Sequence, residues 1–166
     1  MNPLLDLLER IRKSGIPLEK EVAEAMQQVY IGSFTDFELD PFWHDRPVPF
    51  LITDYGAAKT ISAPHMIVTL LHHLELKKNQ HVLLIGAKAG YLSALIDHIV
   101  GESGMVTIVE PHQEVLSYTE ERLEFHHSKG TIRILPVEAL ENIDANSGGV
   151  DRVLITGAIK ETPLIV

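Results

Sequence analysis

The chain has no cysteine among its 166 residues, which excludes a disulfide framework and thiolate chemistry. Basic residues are scarce: 14 Lys and Arg stand against 23 Asp and Glu, a formal net charge of -9. Nucleic-acid binding needs clustered cations to neutralise phosphates, so this balance argues against a polyanion partner. Long apolar runs are missing as well. None approaches the ~20 residues that cross a bilayer, and the opening MNPLLDLLERIRK interrupts its leucines with Asp6 and Glu9, unlike the core of a signal peptide. The expectation is a cytoplasmic protein without a membrane segment, long enough for one core-bearing domain.

What is present is organised around VLLIGAKAGY, Val82 to Tyr91. Val82 to Ile85 is a short apolar run suited to a strand buried on both faces, and it leads into a turn bounded by Gly86 and Gly90. A helical stripe of Leu92, Leu95, Ile96 and Ile99 follows, with Gly101 at the expected stop. Strand, glycine turn and helix N-terminus let a ligand approach bare backbone at the positive end of a helix dipole. A second strand, Met105 to Val109, ends in Glu110, an acid suited to ribose hydroxyls. Such a turn also occurs as a mere tight connection. Histidines come as adjacent pairs, His72-His73 and His126-His127, which point apart on a helix and cannot chelate one ion together, so no metal site is expected.

Around this centre the chain reads in order. Leu4, Leu5, Leu8 and Ile11 share one helical face, and Val22, Ala25, Met26 and Val29 another. From Tyr30 to Ala58 periodicity is lost, and the aromatics there form either a wall over a ligand or a satellite hydrophobic cluster. A helix after Pro64 has Met66, Ile67, Leu70, Leu71 and Leu74 on its buried side, with Ser62 placed as its N-cap. Pro111 opens the next helix, Thr131 to Leu135 and Arg152 to Thr156 are further strands, and Ile143 to Gly149 is a loop. Alternating strands and helices predict an α/β fold, a doubly wound, mainly parallel sheet with helices at its N-terminus. Residues 1–58 would pack on a core formed by 59–166, as one structural domain. Gly86, Glu110 and Glu138 fall at the carboxyl ends of strands, where such sheets bind ligands.

Several segments together resemble the protein L-isoaspartyl (D-aspartyl) O-methyltransferases. HDRPVPF is similar to that family's Tyr-x-Asp-x-Pro-Leu-Pro segment, KTISAPHM to its Gln-Thr-Ile-Ser-x-Pro signature, and VLLIGAKAGY to its VLEIGTGSGY-like loop. VTIVE matches its strand ending in the ribose acid, and VDRVLITGAIKETP its fourth strand and following turn. The resemblance implies a Rossmann-like methyltransferase fold with S-adenosylmethionine as cofactor. The activity it implies is methyl transfer to the carboxylate of isoaspartyl residues in damaged proteins. By the same resemblance Thr60 and Ser62 serve catalysis, and Ile61 and His65 contact substrate. Gly86, Ala87, Gly90, Tyr91, Glu110 and Glu138 would hold the cofactor.

Three positions depart from the family pattern. Leu84 replaces an acid, Lys88 the middle glycine of the loop, and Val137-Glu138 a Gly-Asp pair. Lys88 either intrudes where backbone should meet ligand or pairs with the cofactor's carboxylate. The family continues past the place of Val166 with strands that complete the sheet, so the fourth strand is expected to be covered by further chain or by self-association. Beside the enzyme stand two alternatives: a non-catalytic binding module of the same descent, favoured by Leu84 and Lys88, and a methyltransferase for another substrate. An NAD-binding domain is disfavoured because Lys88 and Ala89 break the Gly-x-Gly-x-x-Gly pattern.

Overall fold

A computed structural model of the chain describes residues 2–125, 131–142 and 149–157. His126, His127, most of the expected Ile143 to Gly149 loop and everything after Gly157 lie outside the described residues. Helices α1 (Pro3–Lys13), α2 (Lys20–Gln28) and the single turn α3 (Asp40–Trp43) precede a hairpin of β1 (Val48–Ile52) and β2 (Ala58–Ile61). Helix α4 (Pro64–Leu74) leads to β3 (His81–Ile85), α5 (Tyr91–Val100), β4 (Met105–Val109), α6 (Gln113–Phe125), β5 (Ile132–Leu135) and β6 (Arg152–Ile155). Among the described residues no helix is long and apolar enough to cross a membrane.

The main sheet is parallel in the order β5-β4-β3-β6. Every residue of β3 is buried, as its unbroken apolar run requires of a strand covered on both faces. Alternation sends Val82 and Leu84 into the large core beneath α1, α2, α4 and α5, and Leu83 and Ile85 into a smaller cluster with Val109. Leu84 is fully buried, with Ile108 and Leu154 in register on either side, and its burial contributes about 2 kcal/mol. Between β3 and β4 the connection is α5, whose C-terminus is closed by Gly101 at φ +80.

Two helical stripes sit differently from their sequence reading. In α1 Leu7 joins Leu8 and Ile11 in the core while Leu5 is 49% exposed; leucines at four nearby positions permit overlapping stripes, and packing selects this one. In α4 Val68 replaces Met66, which is 44% exposed, in the buried set. The stretch expected to be irregular contains α3 and β1. Prolines and a register shift between Pro49 and Leu51 hide the strand alternation of β1, which pairs antiparallel with β2 across the position expected to divide core from N-terminal segment. Its aromatics split by role: Phe34 and Phe42 are fully buried in the main core, whereas Tyr55 at the hairpin turn is 94% exposed.

Candidate functional site

In the order β5-β4-β3-β6 the chain leaves β3 toward β4 and later returns to its other side as β6, which makes the carboxyl ends of β3 and β6 a topological switch point. A cleft of about 230 Å³ opens there, lined by Gly86, Lys88, Glu110, Thr156 and Gly157, with Lys59 and Thr60 of the hairpin on its far wall. Gly86 holds φ +102, and a Cβ on it would lie 2.0 Å from Thr156 Oγ1. The Thr156 hydroxyl instead caps the turn, reaching the carbonyls of Ile85 and Gly86 at 3.2 and 3.1 Å. Glu110 ties the two loops together: Oε1 accepts from the Ala87 amide at 2.9 Å and Oε2 from the His112 amide at 2.8 Å. Each oxygen keeps acceptor capacity for a ligand hydroxyl.

Lys88 enters the same cleft. Its backbone is left-handed at φ +46, followed by Ala89 at φ +61, where L-residues are strained by about 1 kcal/mol each. Its Nζ donates to the Thr60 carbonyl at 3.3 Å and so spans the space between the glycine turn and the hairpin. Burial, then the neighbouring Lys59, hold the ammonium's pKa below the usual lysine range, with Glu110 opposing them.

The other residues singled out in the sequence are distributed unevenly around this cleft. Thr60 lines it, and the buried Ala87 presents its amide to Glu110. Gly90 does not: at φ +96 it faces the core, where a Cβ would meet Leu123 at 3.1 Å and Phe34 at 3.4 Å. The Tyr91 ring is buried against Phe34 and Phe42, with centroids 5.7 and 6.0 Å away, and burial raises its phenol pKa above the ordinary value. Ile61 is fully buried, so its side chain offers nothing to a substrate. Glu138 is exposed on the short turn Val137–Asn142 and is not among the residues lining the cleft.

Ser62 is not the cap of α4. The N-cap is Ala63, which brings no side-chain hydrogen bond. Asp45 fills that place from a distant segment: its Oδ1 accepts from the His65 amide at 2.8 Å and lies 3.0 Å from His65 Nδ1. Asp45 itself sits at φ +58, a conformation aspartate tolerates better than most residues. Of the aromatics expected either to wall a ligand or to form a satellite cluster, Phe50 lines the cleft; sequence reading missed the roles of Asp45, Lys59 and Thr156. Asp45 stands in the HDRPVPF segment, but nothing local to it signals its bond to His65, and nothing local to Thr156 signals its seat over Gly86.

A family model described as protein-L-isoaspartate(D-aspartate) O-methyltransferase matches residues 4–165. The chain belongs to that family. A protein-L-isoaspartate O-methyltransferase of Ignicoccus hospitalis is 30% identical over 159 residues, covering 95% of this chain and 72% of the relative. One from Fervidobacterium nodosum is also 30% identical, over 95% of this chain and 75% of its own length. Among solved structures, a protein-L-isoaspartate O-methyltransferase superposes with a TM-score of 0.82 at 21% identity, over 98% of this chain and 50% of the other. A Plasmodium falciparum protein described by the same name, in complex with S-adenosyl-L-homocysteine, gives 0.78 at 24% identity over 99% and 78%. These superpositions establish the fold of the isoaspartate methyltransferase family for this chain. Within it, Asp45 and His65 join the two segments by which the family resemblance was first visible, HDRPVPF and KTISAPHM.

Proposed function

We propose that the protein binds S-adenosylmethionine in the cleft at the β3/β6 switch point and methylates the carboxylate of L-isoaspartyl residues in damaged proteins. The observation that carries this reading is the meeting of Gly86, Glu110 and Thr60, drawn from three separate segments, around one cleft. The residues fit the cofactor: Gly86 offers backbone with no Cβ, and Glu110 offers two oxygens with acceptor capacity left for ribose hydroxyls. When bound, S-adenosylmethionine supplies an activated methyl group.

Little acid-base chemistry is asked of the chain. A substrate carboxylate is ionised near neutral pH, so positioning dominates the rate. Thr60 presents the hairpin wall to the cleft; Ser62, half-buried between β2 and α4, is not among the residues lining it and would act on a substrate from just beyond Thr60. Lys88 spanning the cleft favours a second reading, a binding module that holds ligand without turnover.

Calorimetric titration with S-adenosylhomocysteine, paired with methyl transfer to an isoaspartyl peptide and to its aspartyl counterpart, tests the proposal. Binding and transfer to the isoaspartyl peptide alone are expected, and Glu110→Ala should weaken nucleoside binding about tenfold. Binding without transfer would favour the module, and absence of binding would overturn the reading.

A further inference from the structure

Among the described residues Lys88 is a cation with no ion-pair partner. Its ammonium has three donors, and among the described residues only the Thr60 carbonyl, a neutral acceptor at 3.3 Å, receives one of them. No carboxylate among the described residues lies within salt-bridge distance of it. Glu110 lines the same cleft and favours the ammonium electrostatically, but it stands outside salt-bridge distance of Lys88, held by the amides of Ala87 and His112. Lys59 lines the cleft as well and adds a second positive charge. Two lysines, one from the glycine turn and one from the hairpin, therefore line the same cleft, and a partly desolvated charge of this kind is stabilised by an incoming opposite charge.

The position is also one at which a lysine has no local reason to be. Lys88 and Ala89 are both left-handed, where glycine is unstrained, and the strained backbone points the long side chain across the cleft instead of into solvent. We infer that Lys88, with Lys59 beside it, is a carboxylate anchor of this cleft, a specificity-determining residue that the glycine found at this place in the family's loop does not supply. This rests on the proposed nucleoside site. Two carboxylates qualify chemically: the one at the amino-acid end of the cofactor, and the one on the isoaspartyl substrate.

Paired ligands that differ only in the carboxylate separate these sources. S-adenosylhomocysteine is compared with 5'-methylthioadenosine, a nucleoside thioether without the amino-acid end, by calorimetry. An isoaspartyl peptide is compared with its methyl ester by fluorescence anisotropy. Each pair is measured on wild type, Lys88→Met and Lys88→Arg. Wild type is expected to prefer the carboxylate-bearing member of one pair by about tenfold or more. Lys88→Met should bring that preference close to unity while leaving the carboxylate-free member's affinity unchanged, and Lys88→Arg should retain it. A merely structural role for Lys88 would lower both members together.

Loss of preference in the nucleoside pair assigns the anchor to the cofactor, and loss in the peptide pair assigns it to the substrate. An unchanged preference in both pairs overturns the anchor while leaving the nucleoside site standing. Wild type that binds neither nucleoside but discriminates the peptides through Lys88 keeps the anchor and sinks the nucleoside site, and wild type that binds none of the four ligands sinks both. Should the methionine variant not fold, Lys88→Gly, which suits the left-handed backbone, gives the same comparison.

Discussion

The turn after β3 has two sides that differ in kind, although the same few residues make both. Toward the cleft stand Gly86 and Lys88, facing Thr156, Thr60 and Glu110 with hydrogen-bonding capacity to spare. Toward the core stand Ala87, Ala89, Gly90 and Tyr91, all buried, and packed against Phe34, Phe42 and Leu123 with no room to spare. Gly86 and Gly90 have nearly the same left-handed φ, +102 and +96, yet one serves an opening and the other a close contact between α5 and α6. A glycine in a cofactor-loop pattern is thus ambiguous until its Cβ direction is known, and only Gly86 bears on ligand approach here.

Leu84 gives the largest expected effect. Restoring the family's acid with Leu84→Glu would place a carboxylate between Ile108 and Leu154, in a fully buried position without a partner, and should cost about 4 kcal/mol in denaturant unfolding. A loss under about 1 kcal/mol would mean that the core side of β3 opens to water and that the two-sided picture is wrong.

The glycines sharpen the comparison at smaller magnitude. Gly86→Ala and Gly90→Ala should each destabilise by about 2 kcal/mol, because both force alanine into a left-handed backbone and both meet a neighbour. Their consequences then diverge. Adding Thr156→Ala should recover part of the loss in the Gly86 variant, where the clash is with a hydroxyl that can be removed, and none of it in the Gly90 variant. Nucleoside affinity per folded molecule, measured by calorimetry, should fall only for Gly86→Ala. Equal losses of affinity in the two variants would erase the distinction between the sides.

What could be read in the sequence follows the same division. The buried strands β3 and β4 and helix α5 were legible because a continuous apolar run or a helical stripe is a local signal, and Gly101 and Glu110 punctuate them. The β1–β2 hairpin was not, since Pro49 and a register shift break the alternation that identifies a strand. Gly90 and Tyr91 were read as ligand contacts because a pattern of residues names a loop without saying which side faces the ligand. Capping by Asp45 was illegible for a different reason: its partner is 20 residues away in sequence, whereas cap rules look only at neighbours.

That misreading leads to the smallest expected effects, at the start of α4. His65 is the second residue of the helix, and its amide is satisfied by Asp45, so Asp45→Ala should cost about 1 kcal/mol and Asp45→Asn, which keeps an acceptor oxygen, less than that. Ser62 makes no cap, so Ser62→Ala should lie within about 0.5 kcal/mol of wild type. Ser62→Asp then isolates chemistry from stability. Its melting temperature should stay near wild type, while a new negative charge two residues beyond Thr60 of the cleft wall should sharply reduce methyl transfer to an isoaspartyl peptide. Undiminished transfer by Ser62→Asp would remove Ser62 from the site. A stability loss in Ser62→Ala as large as that in Asp45→Ala would return the cap to Ser62 and break the reading of Asp45 as the residue that holds the two family segments together.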